Sequence, residues 1–288
     1  MSRDKGGTGR QDAAASVSGD AAFVQANLLL HEVQEARAAV GRARLRIRQV
    51  LPQLGRLLWH IRRLPVLHVE IGDSHGGRAI AAALSRRRGL VPATTAAGVL
   101  VLPEQPEAYL VGRSKQAVRT GINHARRGGL SVARVTDDAE RRARALELAD
   151  GKVRADHAVP LKAWADGPLD ESWFVVDASG ETCAIAIISV DGSVARLDTM
   201  VSAQGHEQSS ARYLLSAHIF MDLIARGVSH VIAEGALFLP PGLLHFQKLL
   251  GFQQMNIKLS QTRSRAGGDG RATTCGPAPF RQLLRTGR

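Results

Sequence analysis

Two carboxylates stand in stretches that otherwise suit buried strands. Asp198 lies within the run ARLDTMVS, and Glu234 lies near the end of VSHVIAEG. A charge in such a strand is costly unless it is paired or lies at an edge. On neighbouring strands, two carboxylates can bind an ammonium group or take up a proton. The alternatives are an ion pair with an arginine, such as Arg196 or Arg212, or a solvated strand end.

A short polar loop, AQGHEQSS, lies between the first of these stretches and a long amphipathic one. Ser209 or Ser210 can cap a helix there. The free N–H groups of its start, from Gln208 onward, would then form an anion site. His206 in the same loop can bind a phosphate or accept a proton near neutral pH. The alternatives are a plain cap without a ligand and a solvent-exposed histidine.

The elements that must position these residues follow from the apolar pattern after residue 64. We predict strands at 65–73, 98–102 and 131–137, then three consecutive strands within 173–202, and further strands at 230–234 and 253–259. Turns at DASG and DG join the three consecutive strands. We predict helices at 74–88, 106–129, 137–149, 211–227 and 241–250, with Ser74 and either Asp137 or Asp138 as N-caps.

This order of elements predicts an α/β fold. Three strands in a meander pair antiparallel, and a helical crossover then places strand 230–234 parallel to strand 194–202. The result is a mixed central sheet flanked by helices on both faces.

The regions outside this sheet have a different composition. Residues 1–20 and 261–288 are small, polar and Gly-rich, and we expect disordered tails there. Residues 21–64 repeat apolar positions with arginines between them, which predicts a basic amphipathic helical region. Such a region can lie on an anionic membrane, pair with a partner helix, or simply pack on the following domain.

The bulk composition limits the class of protein. The 288 residues carry a formal net charge of +12, mostly from arginine. This excess indicates either a polyanionic partner or a coding bias in which Arg replaces Lys on ordinary surfaces. Cys183 and Cys275 have no metal-type spacing and suggest no disulfide framework. Without a secretory signal or a membrane-span pattern, we expect a cytoplasmic location.

Two stretches within residues 104–260 carry a resemblance to a known superfamily. The first, RTGINHARRGGL at 119–130, is similar to the Arg-rich helix that ends in Gly before a strand in Fem-like domains. The second comprises ARYLL, ARGV, PGLLHF and LGF between 211 and 252, and its spacing is similar to the second half of a GNAT domain. The chain therefore resembles the GNAT acyltransferase superfamily, and most closely its Fem-type aminoacyl and acyl transferases.

The resemblance implies a fold, a reaction and a place for the reaction. The fold is that of acyl-CoA N-acyltransferases, and the reaction is acyl or aminoacyl transfer to an amine. The donor carbonyl would lie where two parallel strands separate, here at 197–201 and 231–235. Backbone N–H groups near Met200 and Val201 would face the oxyanion. Residues 65–103 would be a degenerate first half of a Fem-type pair, or an accessory layer on the same sheet.

The sequence departs from the family at the loop that holds the coenzyme A pyrophosphate. That loop is Gln/Arg-x-x-Gly-x-Gly/Ala in GNAT enzymes. This chain has Glu207 and Ser209 at the two small positions in one register, and Ala211 and Tyr213 in the other. Two donors therefore stay open, an acyl-CoA and an aminoacyl-tRNA. The alternative function is a catalytically degenerate module that binds a polyanion, either RNA or an anionic membrane.

Overall fold

The computed structural model describes residues 62–85, 96–150, 171–177, 179–204, 209–235 and 239–261, together with 59, 152–153, 158 and 161–162. The predictions for the two tails and for most of the helical region 21–64 lie outside these residues. His206 and Gln208 also lie outside them. For Glu234 and Ser209 only the backbone is described.

The described chain follows a single order of strands and helices. The strands are β1 (Val66–Ile71), β2 (Ala96–Val101), β3 (Ser131–Val135), β4 (Glu171–Val176), β5 (Thr182–Asp191), β6 (Val194–Ser202), β7 (His230–Gly235) and β8 (Gln253–Gln261). The α-helices are α1 (His75–Ser85), α2 (Gln116–Arg127), α3 (Asp138–Ala149), α4 (Ser209–Ala225) and α5 (Pro241–Leu250). None of the described helices is long and apolar enough to cross a membrane.

All eight strands join one mixed sheet in the order β1-β8-β2-β7-β6-β5-β4-β3. Two neighbouring pairs are parallel, β1 with β8 and β6 with β7. The other pairs are antiparallel, including the meander β4-β5-β6. The predicted fold class, an α/β mixed sheet flanked by helices, is therefore confirmed.

The helices divide between the two faces of the sheet. Helices α2, α4 and α5 share one core with β2, β5, β6 and β7, and its fully buried members include Val118, Leu215 and Phe220. We call this side the α4 face. On the opposite side, α1 covers β1, β2 and β8, and α3 covers β3, β4 and β5. Each strand next to the seam between β6 and β7 is thus covered by a helix on the α4 face.

Two helix starts confirm the capping residues that the sequence predicts. The N–H of Gly77 donates to Ser74 Oγ at 2.9 Å, and the N–H of Glu140 donates to Asp137 Oδ1 at 2.9 Å. In both cases a short polar side chain satisfies an N–H group that has no partner within the helix. Capping is a local property, which is why sequence alone located these starts.

The basic helix predicted at 106–129 is wrong in its first half. Two 3-10 helices, Pro106–Leu110 and Arg113–Lys115, precede α2, which begins only at Gln116. Gly112 separates them with a φ of +97°, a value outside the helical region. The apolar and basic residues that predicted a single helix are divided between the two 3-10 helices and α2.

Residues 65–103 contribute two strands to the same sheet. β8 lies between β1 and β2, and β2 in turn lies between β8 and β7. The N-terminal strands are thus interleaved with the last strand of the described chain.

Candidate active site at the β6–β7 seam

The seam between β6 and β7 closes at one end and opens at the other. Parallel pairing joins Val194, Ala195 and Arg196 to His230, Val231 and Ile232. Among the described residues no further register pairs follow, although β6 continues for six residues and β7 for three. The separation expected on β6 from residue 197 is therefore present, and on β7 it begins at Ala233 rather than at Val231.

A β-bulge lies at the residue where this separation begins. On the other side of β6, Leu197 pairs with Ile188 and Thr199 pairs with Ile187, so Asp198 is an extra residue. A bulge bends its strand and shifts the alternation of side chains. Leu197 and Met200, three residues apart, accordingly both pack in the core of the α4 face. The bulge gives a local reason for β6 to turn away from β7.

Asp198 is already engaged by its neighbours. Its carboxylate accepts a 2.5 Å hydrogen bond from Ser189 Oγ and forms an ion pair with Arg196. The Asp198 side chain is 20% exposed and that of Arg196 is 12% exposed. Of the alternatives considered for this aspartate, the structure shows the arginine partner. Ser189 was missed by sequence reasoning, although one serine inside the apolar run CAIAIIS is a signal for a buried polar contact.

Met200 and Val201 lie beyond the bulge. They pair with Ala186 and Ile185 of β5, while the seam with β7 is open at this level. Ser216 Oγ of α4 lies 3.7 Å from Met200 Sδ, so the Met200 side chain points to the α4 face. Consecutive residues of β6 thus pair normally with β5 on one edge, and on the other edge they have no register partner in the described part of β7.

Three further predicted site residues, Ser209, Ser210 and Glu234, lie on α4 and β7. The backbone of Glu234 lies in the part of β7 that has no register partner on β6. The next residue, Gly235, pairs with Ala97 of β2 on the other edge. Ser209 is the first residue of α4. Ser210 is buried, and its Oγ lies 3.5 Å from His124 Nδ1 of α2. The structure therefore places Glu234 across the seam from the strand of Asp198.

Two buried polar atoms on α4 and α5 have no hydrogen-bond partner among the described residues. One is Arg212 Nε in the first turn of α4, whose guanidinium lies 5.6 Å from the centre of the Phe246 ring. The other is Gln247 Oε1 of α5. A β-carbon at Gly98 would lie 3.0 Å from that oxygen and 3.6 Å from Ala233 Cβ, so the amide lies beside the open part of β7.

Sequence reasoning missed Gln247. His245 and Lys248, which flank it on α5, are exposed, whereas Gln247 is only 6% exposed. A glutamine that follows Phe246 within an apolar helix was the available signal. Buried amides need partners, so the free oxygen marks a place for a donor group.

The end of α5 is held by two side chains from the preceding 3-10 turns. The carbonyl oxygen of Leu250 accepts from Tyr109 Oη at 3.2 Å and from Lys115 Nζ. Burial lowers the pKa of Lys115 to about 8. A cation suits the carbonyl end of a helix. These contacts fix the last turn of α5 and with it the position of Gln247.

The loop after β6 is anchored where it leaves the sheet. The N–H of Ala203 donates to the Cys183 carbonyl at 2.9 Å, and the N–H of Gln204 donates to the Lys152 carbonyl at 2.8 Å. Lys152 Nζ is itself held by Glu147 at 2.8 Å and Glu181 at 2.6 Å. The chain therefore enters the loop that precedes α4 from a fixed direction.

Comparisons with known proteins found similarity only at the level of structure. No family model matches the chain, and no curated protein matches it. Among solved structures, the C-terminal domain of a putative lysylphosphatidylglycerol synthetase from Agrobacterium fabrum is 13% identical, with a TM-score of 0.41 over 55% of this chain and 58% of that one. FemX is 12% identical, with a TM-score of 0.43 over 56% of this chain and 59% of that one.

A third similar structure is a tandem GNAT protein from the clavulanic acid biosynthesis pathway. It is 17% identical, with a TM-score of 0.36 over 75% of this chain and 69% of that one. The match thus spans less than two thirds of the synthetase domain and of FemX. At these identities the likeness concerns the fold, and no chemistry is transferred from it.

Proposed function

We propose that this protein is an N-acyltransferase that moves an acyl or aminoacyl group from a carrier to an amine at the β6–β7 seam. The observation that carries the proposal is the end of parallel pairing after Arg196 and Ile232, next to the bulge at Asp198. Beyond these two residues, the described parts of β6 and β7 have no register partner across the seam. Backbone N–H and C=O groups are costly to bury unless something binds them.

The reaction needs an oriented carbonyl, donors for the developing oxyanion and a route for the amine proton. The amine nitrogen attacks the donor carbonyl, the bond from the carbonyl carbon to the carrier breaks, and the amine proton leaves. We propose that backbone N–H groups near Met200 and Val201 stabilise the oxyanion. Their strand is fixed on one side by β5 and is open on the other.

The two carboxylates would serve the amine in different ways. Glu234, on the open part of β7, is proposed to bind the ammonium group and accept its proton. Asp198 has part of its accepting capacity taken by Ser189 and Arg196. We therefore propose that it holds the bulge and adds negative potential to the cleft. His206, outside the described residues, is kept as a further candidate for a proton or a phosphate.

The donor would enter between α4 and α5. Arg212 and the first N–H groups of α4, including those of Ser209 and Ser210, suit an anionic carrier. The unpartnered Gln247 oxygen suits an N–H donor, such as an amide of the carrier or the acceptor. Gln208 belongs to the same proposed anion site. Both an acyl-CoA and an aminoacyl-tRNA carry the required phosphates, and the altered loop residues favour the latter.

Transfer can be measured with [14C]acetyl-CoA and with a mixed [14C]aminoacyl-tRNA pool, each offered to a panel of primary amines. We expect Glu234→Gln to lower kcat/KM by about 100-fold or more, because general-base catalysis contributes about 10²–10⁴. Asp198→Asn should give a smaller loss together with a lower melting temperature. Glu107→Gln, an exposed acid on the first 3-10 turn, is the matched control and should leave transfer unchanged.

A second function is favoured by the charge of one segment. Residues 108–136 hold six Arg or Lys and no Asp or Glu. A module that binds RNA without catalysis would show no turnover with either donor, and equal affinity for bare and aminoacylated tRNA.

Turnover that is unchanged in Glu234→Gln would overturn the proposed role of this carboxylate in transfer.

A further inference from the structure

A cavity lies between α2 and α4, and no residue of β6 or β7 lines it. Its volume is about 220 Å³. One wall is polar and comes from α2, with Arg119, Asn123 and Arg126. The opposite wall is contributed mainly by α4 and includes Met221 and His218. A small organic molecule, rather than a single water, matches this size.

The polar wall is set by helical spacing. Residues 119, 123 and 126 are separated by four and three positions, so their side chains lie on one face of α2. Ile122, adjacent to this row, is 4% exposed and supplies apolar surface within the cavity. The cavity therefore pairs two guanidinium groups and one amide with an apolar surface.

The first guanidinium is held in place before any ligand arrives. Arg119 Nη1 donates to the carbonyl of Leu110 at 2.6 Å and to that of Gly112 at 2.8 Å. Its other N–H groups have no hydrogen-bond partner among the described residues. A fixed guanidinium loses little conformational entropy on binding an anion.

The second guanidinium, that of Arg126, is exposed and has no ion-pair partner in the described part of the chain. No Asp or Glu lines the cavity. Asp222 of α4 follows the lining residue Met221 directly. Its carboxylate lies 3.3 Å from Arg226 Nη1 and 3.9 Å from Arg134 Nη1, so it faces two arginines that do not line the cavity. The positive charge of the cavity is thus not neutralised from within the described structure.

We infer that this cavity is a binding site for a phosphomonoester with an apolar organic group. A tetrahedral dianion offers oxygens in several directions and can accept from Arg119, Asn123 and Arg126 together. A planar carboxylate has two oxygens and one charge, and it satisfies one guanidinium fork. Ile122 and Met221 then contact the organic group of the ester.

The test uses the full chain and three probes: phenyl phosphate, inorganic phosphate and benzoate. Isothermal titration at fixed ionic strength should give the tightest binding for phenyl phosphate, with inorganic phosphate and benzoate each at least fivefold weaker. Arg126→Ala should weaken phenyl phosphate binding at least tenfold. Arg127→Ala removes the same charge from the next position, outside the cavity lining, and should change the affinity by less than twofold.

Three outcomes would overturn the assignment. The first is the absence of phenyl phosphate binding at millimolar concentration. The second is equal weakening by Arg127→Ala, since this would show attraction to a basic helix rather than to a cavity. The third is benzoate binding as tight as phenyl phosphate with the same dependence on Arg126, which would assign a carboxylate ligand instead. These binding measurements do not depend on amine transfer, so the result of the Glu234→Gln experiment does not decide them.

Discussion

At the scale of single residues, Glu147 shows how one carboxylate ties the sheet to its helical layer. It accepts from Thr182 N at 3.0 Å, from Thr182 Oγ1 at 2.6 Å and from Lys152 Nζ at 2.8 Å. Burial by itself would raise the pKa of Glu147, but the hydrogen bonds from Lys152 and Thr182 outweigh it and lower the pKa to about 2. The ionised form is therefore favoured in the folded protein.

This shift predicts a stability change in acid. The pKa of Glu147 is lower in the folded chain than its ordinary value of 4.5, so its contribution is present above pH 4.5 and is lost as pH falls towards 2. Because the side chain is 35% exposed, solvent screening limits the contribution to about 1 kcal/mol. In urea unfolding, Glu147→Gln should be less stable than the wild type at pH 6, and the difference should shrink at pH 3. A difference that stays constant with pH would contradict this account.

At the scale of elements, α2 and α4 approach each other through a glycine. A β-carbon at Gly121 would lie 2.6 Å from Tyr213 Cδ2, 2.8 Å from its Cγ and 3.1 Å from its Cβ. The clash involves the base of the ring, which cannot swing away without moving the helix backbone. This contact sets the spacing of the two helices that line the phosphomonoester cavity.

Replacing this glycine should therefore destabilise the fold. Gly121→Ala gains about 1 kcal/mol of helix propensity but incurs an overpacking cost of about 1–3 kcal/mol. We expect a net loss in thermal unfolding. Gly242→Ala in α5 is the control, because nothing lies within 4 Å of its added carbon and only the propensity gain applies. If the overpacking explanation is right, Gly121→Ala should cost less stability in a Tyr213→Ala background than in the wild type, as a double-mutant cycle would measure.

At the scale of the whole molecule, the beginning and end of the described chain form one structure. β1 pairs with β8 from Val66–Asn256 to Ile71–Gln261, and β2 pairs with β8 and β7 on its two edges. Ala97 and Val99 of β2 are fully buried. The sheet can close only after residues far apart in sequence have met, which favours slow folding.

This interleaving predicts that residues 65–103 are not dispensable. A chain that begins at residue 104 keeps the whole stretch that resembles GNAT domains but leaves β8 without either partner. We expect it to show no cooperative thermal transition by circular dichroism, whereas a chain that begins at residue 62 should unfold cooperatively. If both chains showed a cooperative thermal transition near the same temperature, the N-terminal strands would be an accessory layer only.

The sequence by itself determined the order of elements and several of their ends. Apolar runs separated by the turns DASG and DG specified the meander, and Ser74 and the pair Asp137–Asp138 specified two helix starts, because these signals act within a few residues. The parallel placement of β7 beside β6 followed from the helical crossover that joins them. Asp198 was found because a carboxylate in an apolar strand is costly, whatever the sheet around it.

Only the tertiary structure decided how the strands are combined. No local pattern places β2 between β7 and β8, since that position depends on pairing across more than a hundred residues. The bulge at Asp198 depends on the register with β5, and it shifts the side chains beyond it to the other face. The same long-range packing gave Asp198 its partners and left Gln247 with a free oxygen beside the open seam.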